Sequence, residues 1–402
     1  METWKSGSNA VWLYLGKEEW TEERIAGLTT WCREQRVKRV IVYITIVPYP
    51  DEAALRRLQT VADACREAGL EAHGMVSTLQ QRTEHPGNLP FADRDAYGVD
   101  AHGISTWDEP LQGKGYFLDP TSPEVADWLA GTLGRLLRDL PALSGIHLDF
   151  IRYYYYESEL RIDTKNAGHW LYQPQPGQTL RIGVPDGSET TFFVASKTNA
   201  YNDPPIGREL VLRRSFRYCY CSRCIRSFEE ASGVRLPAGL ETAERAAWID
   251  EHAASAWSAF RAEAVTSVVR QIRSELRTGH PGKQLSAAVW YNAPYGNELR
   301  EEPLTPDSEI DRFGQDWAAW AREGLLDFVC PMDYWLTPAS FGSIVAKQTA
   351  KAGGAIPVYA GLLTSGDYPF DAERLESYRA EALASGAEGL CFFHYGAWSQ
   401  IL

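Results

Sequence analysis

The strongest constraint on this chain is a repeated change of hydrophobic period. Short apolar runs rich in β-branched residues alternate with longer stretches in which apolar residues recur every three to four positions. The runs cover residues 10–15, 39–45 (RVIVYIT), 70–77, 145–150, 285–291 (LSAAVWY), 326–332 (LDFVCPM), 356–360 (IPVYA) and 389–394 (GLCFFH). Runs of that length read as strands, and the spacing between them as amphipathic helices. Helices are predicted over 22–35, 51–66, 122–139, 257–276, 315–323, 343–351 and 372–384. Two of them start with capping chemistry. Asp51 precedes one, and Ser122-Pro-Glu opens another with a hydroxyl cap, a first-turn proline and a carboxylate on the positive end of the dipole. Strand–helix units joined by right-handed crossovers put every helix outside, so the expected fold is α/β, a (β/α)8 TIM barrel. With Leu402 the last residue, the eighth helix is expected to be very short or missing. A doubly wound open sheet is the alternative, but no glycine-rich phosphate loop follows the first strand.

One segment breaks the pattern. Residues 153–240 contain alternating stretches such as 180–184 and 190–194, separated by Pro-Gly and Asp-Gly turns. They read as a β-hairpin-rich insertion on the loop after strand four. It is not an independent domain, so residues 1–402 are expected to form a single barrel. Apolar content of 44% and charged content of 23% suit a chain that buries a large core. The net charge of −13, with no compensating basic run, argues against a nucleic-acid or anionic-membrane binder. No apolar stretch reaches membrane-spanning length, and the N-terminus lacks a signal-peptide pattern. The chain is therefore expected to be cytoplasmic, or a mature form whose leader was removed. Its oligomeric state is open.

The fourth run carries the chemistry. In residues 144–153, Ile146, Leu148 and Phe150 share one strand face while His147 and Asp149 share the other. The apolar face would meet covering helices, leaving His147 and Asp149 pointing inward. Arg152 and four consecutive tyrosines follow at once. A carboxylate at a strand's C-terminal end beside such residues suits a site holding something polar. A satisfied internal His147–Asp149 pair is the bland alternative. The 14 Trp and 20 Tyr, many of them at predicted strand ends, could stack on the apolar faces of sugar rings, although packing must account for most of them.

Residues 145–153 (GIHLDFIRY) resemble the DGIHLDYIRYP signature of bacterial glycoside-hydrolase-like barrels termed family-10-like. Residues 117–125 (FLDPTSPEV) resemble that group's LDPGNPEVR, and residues 324–334 (GLLDFVCPMDY) its GLLDFVVPMNYT. Residues 390–396 resemble its last-strand ending. Aspartate replaces asparagine at Asp333, and the insertion is a second departure. The resemblance implies a TIM-barrel glycoside hydrolase acting on an oligo- or polysaccharide, with no catalytic cofactor.

Glycoside hydrolysis usually needs two carboxylates, and barrel sites sit at the C-terminal ends of strands. Asp149 is the expected principal carboxylate and Asp333 its expected partner; Asp333 as a loop residue capping nearby backbone is the alternative. Glu298 and Glu109 are reserves. His147 and Arg152 would hold Asp149 ionised or bind substrate. Tyr43, Trp290, Tyr291, Asn292, Tyr334, Trp335 and His394 lie near strand ends as candidate pocket lining. The rival is a non-catalytic carbohydrate-binding TIM barrel that kept the pocket and lost a carboxylate. The first strand has no His-x-His for a metal-dependent amidohydrolase, and no Gly-x-Ser-x-Gly marks a serine hydrolase.

The seven cysteines, an odd number spread along the chain, do not form a disulfide framework. Cys219, Cys221 and Cys224 are close enough to bind a structural zinc with a fourth ligand from elsewhere. Their spacing resembles part of a structural zinc cluster in some barrel β-galactosidases, whose fourth cysteine precedes the run. Free thiols in a folded turn are the preferred reading.

Overall fold

Each apolar run becomes one strand of a single parallel sheet. The strands are β1 (Asn9–Leu13), β2 (Val37–Ile44), β3 (Glu71–Ser77), β4 (Gly145–Asp149), β5 (Gln284–Val289), β6 (Phe328–Pro331), β7 (Tyr359–Leu363) and β8 (Gly389–Phe393). The computed structural model describes residues 8–83, 86–111, 115–163, 176–183, 189–195, 209–290, 308–363 and 370–400. Neighbours along the chain are neighbours in the sheet, and β8 returns to β1 with Cys391 opposite Ala10. β6 and β7 meet at Val329 and Val358, where the Val329 N–H donates to the Pro357 carbonyl at 3.1 Å. That contact closes the sheet, and the chain is a (β/α)8 TIM barrel.

β7 runs three residues later than its apolar run suggested, because Pro357 has no N–H to give the ladder. The step also places Gly361 at the tightest approach to β6. A Cβ there would lie 2.3 Å from the Pro331 carbonyl oxygen, so only glycine fits. Thr21, Asp51, Thr337 and Asp371 cap four of the outer helices through side-chain oxygens, each contributing about 1 kcal/mol. Ser122 precedes the helix Pro123–Asp139, but its hydroxyl donates to Glu124 at 2.6 Å instead of capping the backbone. The last helix, Tyr395–Trp398, is a single turn. Among the described residues no helix is long and apolar enough to cross a membrane.

Strand alternation sorts the core into two parts. Val40, Val42, Ile146, Leu148, Ala287 and Val329 join the apolar layer that includes the outer helices. Trp12, Ile41, Met75, Ala288, Cys330 and Cys391 form a second cluster inside the barrel. At the N-terminal end the interior is plugged by Arg39, which pairs with Glu71 at 3.2 Å. Its guanidinium lies over the Phe328 and Tyr359 rings at 4.9 and 5.1 Å.

The segment after β4 forms a four-stranded antiparallel sheet. Tyr155–Asp163 pairs with Glu209–Arg217, which pairs in turn with Glu189–Val194 and then Thr179–Gly183. Leu210, Leu212, Phe192 and Val194 give it a small core of its own. Arg214 fastens this sheet to the connection between β3 and β4. Its Nε donates to Asp100 at 2.8 Å, Nη1 bonds Glu109, and Nη1 also reaches the Thr191 carbonyl at 2.9 Å. The helices Ser222–Ser232 and Thr242–His252 then lead into the long helix Ala254–Gly279, whose ends extend past its predicted limits.

Candidate active site

β4 stops at Asp149 because Phe150 takes a left-handed conformation, φ 51°. That backbone region costs a non-glycine residue about 1–3 kcal/mol. The Thr78 N–H and hydroxyl both donate to the Asp149 carbonyl, at 2.9 and 2.8 Å, pinning the strand end to the segment after β3. The turn brings Arg152 back over the site. Its Nη1 lies 3.7 Å from Asp149 Oδ1, and its guanidinium stacks over Phe150 at 4.3 Å and Trp290 at 5.5 Å. The carboxylate is partly exposed, and its Oδ1 also accepts the Phe150 N–H at 2.7 Å.

Aromatic rings continue the mouth. Tyr14 packs against Tyr43 at 5.3 Å and His394 at 5.3 Å. Tyr334 contacts Phe393 at 5.6 Å and Trp335 at 5.7 Å. Burial first, and the charge of Asp149 second, push the Tyr14 phenol up to about 12. Asp149 also acts on Tyr334, which burial raises well above its ordinary range. Tyr14 and Tyr43 form one wall of a cavity of about 500 Å³ that runs over the ends of β1 and β2 to Thr45, Tyr49 and Arg57. Asp149 does not line this cavity; Tyr14 is the link between them. The sequence reading missed Tyr14 and Phe393. Alternation from Ala10 and Trp12 through Tyr14 was the available signal.

Asp149, Arg152, Trp290, Tyr334, Trp335, Tyr43 and His394 therefore gather at the C-terminal mouth. Several expected roles need correction. His147 is fully buried, and its Nδ1 shares a 2.9 Å hydrogen bond with Ser286 Oγ on the neighbouring strand. Burial, then His73, hold its imidazole neutral by pushing it down to about 3. It lies inside the barrel, bonded to Ser286 and not to Asp149.

Asp333 is 1% exposed and accepts from Gln348 Nε2 at 2.6 Å. Gln348 belongs to the outer helix Pro338–Ala352. Met332 and Tyr334 join the interior cluster, so Asp333 between them faces the helix layer. That orientation turns its carboxylate toward Gln348 and away from the interior cluster. Glu109 is also engaged elsewhere, by Arg214 and by the Thr191 hydroxyl at 2.7 Å. Tyr291, Asn292 and Glu298 lie outside the described residues.

The three clustered cysteines meet a fourth group that sequence spacing did not reveal. Asp119, in the turn before Pro123–Asp139, places its Oδ2 3.3 Å from Cys221 Sγ and its Oδ1 3.3 Å from Cys224 Sγ. Burial raises the Cys219 and Cys224 thiols, while hydrogen bonds from those two sulfurs push Cys221 down. Three sulfur donors and one carboxylate oxygen are ligand types that Zn²⁺ accepts.

The class defined here is a (β/α)8 TIM barrel whose C-terminal mouth is lined by aromatic rings, with a carboxylate ending β4. Similar solved structures include β-galactosidases. The enzyme from the psychrophilic Marinomonas ef1 is 12% identical, with TM-score 0.56 over 96% of this chain and 54% of that one. The enzyme from Bacillus circulans sp. alkalophilus is 13% identical, with TM-score 0.54 over 98% and 51%. A GH42 β-galactosidase from G. stearothermophilus is also 13% identical, with TM-score 0.55 over 97% and 51%. The chain spans about half the length of these proteins, and the likeness is one of fold. No family model and no curated protein matches the chain.

Proposed function

We propose that this chain is a glycoside hydrolase acting on an oligo- or polysaccharide, with Asp149 as a principal catalytic carboxylate. The observation that carries the reading is the Asp149–Arg152 pair at the end of β4, 3.7 Å apart and partly exposed beside the aromatic mouth. Catalytic groups of TIM barrels sit at this end. Arg152 favours the ionised carboxylate, as a nucleophile or a base for water requires. Tyr14 and Tyr43 offer ring faces on which a sugar can stack. The motif resemblance to family-10-like barrels and the fold likeness to β-galactosidases support the same substrate class. The insertion is proposed as part of the single barrel unit.

A second reading has a specific observation behind it. Asp333 and Glu109, expected as partners of Asp149, are bonded to Gln348 and Arg214 instead. A barrel in which no second carboxylate faces Asp149 would bind carbohydrate without cleaving it by the two-carboxylate route. One assay separates the two. The protein is incubated with a panel of oligosaccharides, and new reducing ends are measured alongside binding by calorimetry. Cleavage lost in Asp149→Asn establishes the hydrolase. Binding without cleavage for every sugar in the panel selects the binding barrel.

A further inference from the structure

We infer that Asp119, Cys219, Cys221 and Cys224 form a four-ligand site for a structural zinc ion that clamps the strand-four insertion to the β3–β4 connection. The inference is independent of whether the barrel hydrolyses sugars.

Geometry comes first. One donor atom from each of the four residues lies within 4.8 Å of every other. Zn–S bonds of about 2.3 Å and Zn–O bonds of about 2.0–2.2 Å make a tetrahedron with edges of roughly 3.5–3.8 Å. The Asp119 oxygens already stand 3.3–3.4 Å from the Cys221 and Cys224 sulfurs. The widest edge has to close by only about 1 Å to seat the ion.

Second, the donors are oriented as ligands are. The Val99 N–H donates to Cys219 Sγ at 3.3 Å, and the Cys224 N–H donates to Cys221 Sγ at 3.3 Å. The Thr121 N–H and hydroxyl donate to Asp119 Oδ1 at 2.9 and 2.8 Å. Arg223 Nη2 donates to Asp119 Oδ2 at 2.9 Å. Such outer partners aim first-shell ligands and raise metal affinity.

Third, burial asks for a cation. Asp119 and Cys224 are fully buried and Cys219 is 1% exposed. The fully buried Asp119 carboxylate has the Arg223 guanidinium beside it at 2.9 Å and packs against the Cys221 and Cys224 sulfurs, a buried setting that a divalent ion would neutralise. Thiolates exclude the hard cations Mg²⁺ and Ca²⁺. All three cysteines are free, so no disulfide competes for the sulfurs.

The ligands come from both sides of a seam. Asp119 belongs to the β3–β4 connection, whereas the cysteines follow the last strand of the insertion, Glu209–Arg217. Zinc would therefore fasten the C-terminal end of the insertion where Arg214 fastens its middle.

The test measures metal directly. Full-length protein from zinc-supplemented medium should carry about one zinc per chain by elemental analysis. Chelation should lower its melting temperature. Co²⁺ added to chelated protein should give intense thiolate-to-cobalt absorption and tetrahedral d–d bands. Asp119→Asn should weaken Co²⁺ binding at least about tenfold, and Asp119→Cys should raise the charge-transfer intensity by about a third. A metal-free chain that shows neither a chelator effect nor a cobalt band overturns the site. Iron in place of zinc overturns the metal assignment. A cobalt spectrum and affinity unchanged in both variants remove Asp119 from the ligand set. Should Asp119→Asn fail to fold, Asp119→Cys and the wild-type chelation still decide the question.

Discussion

Asp333→Asn should make the protein more stable, and increasingly so as pH rises. Asp333 Oδ1 accepts from Gln348 Nε2 at 2.6 Å, while Asp333 Oδ2 and Gln348 Oε1 are both buried without a hydrogen-bond partner. Only the neutral acid has an O–H to offer that amide oxygen. Burial pushes the Asp333 carboxyl from 3.8 to about 7, against a smaller opposing pull from Gln348. The folded value thus lies above the unfolded one. Between about pH 4 and 7 the unfolded chain sheds this proton while the folded chain keeps it, so stability falls across the window and stays low above it. At about 1.4 kcal/mol for each tenfold difference, the full cost is roughly 4 kcal/mol. Asparagine keeps an acceptor for Gln348 Nε2, adds an N–H₂ for Oε1 and never ionises. It is also the residue in the family-10-like motif that residues 324–334 resemble. The expected result is a gain of roughly 2–4 kcal/mol at pH 8.5 that shrinks toward about 1 kcal/mol or less at pH 4.5. Urea unfolding midpoints of both proteins at the two pH values measure it. A difference that does not grow with pH would show that Asp333 is already ionised in the folded protein and refute the reasoning. Unchanged activity in the variant would agree with its place in the helix layer.

Asp149→Asn should cut turnover by about 10²-fold or more while leaving the melting temperature within a degree or two of wild type, since the residue sits at a partly exposed strand end. Near-normal turnover in a folded variant takes Asp149 out of the mechanism. Tyr14→Ala should weaken oligosaccharide binding about tenfold, as expected for one lost stacking face, with a smaller effect on kcat. Arg214→Met strands the fully buried Asp100 and the mostly buried Glu109 without their cation. It should cost about 3–5 kcal/mol by urea unfolding, with Arg214→Lys intermediate because it keeps the charge and loses the fork.

The barrel was legible because its signal is redundant. Strand alternation in residues 39–45 and 145–150 and capping at Asp51 each point to the same units, and an error in one does not disturb the others. β7 slipped where a single local rule, the missing N–H of Pro357, outweighed an apolar run. The candidate site was legible only where it lies on strands. Alternation placed Asp149 at the inward end of β4, and in the structure its charge acts on Tyr14 and Tyr334. The same alternation, carried past Pro331 and Met332, puts Asp333 on the helix side; the sequence reading weighed its position at a strand end more heavily than its parity. His147 was rightly placed inward, but parity cannot say how deep a residue lies, and Ser286 was there to take its hydrogen bond. Asp119 and the cysteines are about a hundred residues apart, and no periodicity links a turn in one connection to a turn in another.

The Glu109–Arg214 contact and the proposed zinc site bear on one question, which is how the insertion is held near the mouth. Glu109 belongs, with Asp100 and Arg214, to the fastening of the inserted sheet. Asp119 and the cysteines stand at the end of that same sheet. At its beginning, Tyr155 packs on Phe313, which in turn packs on Trp290 at the mouth, both at 6.2 Å. The inserted sheet is thus fixed at its start by rings that belong to the site and further along by groups of the β3–β4 connection. That connection reaches β4, and β4 ends in Asp149. A segment inserted into the loop after a catalytic strand is free to move unless something outside the loop restrains it. Here the restraint comes from the connection that precedes the strand, so the inserted sheet and Asp149 are positioned by one piece of chain.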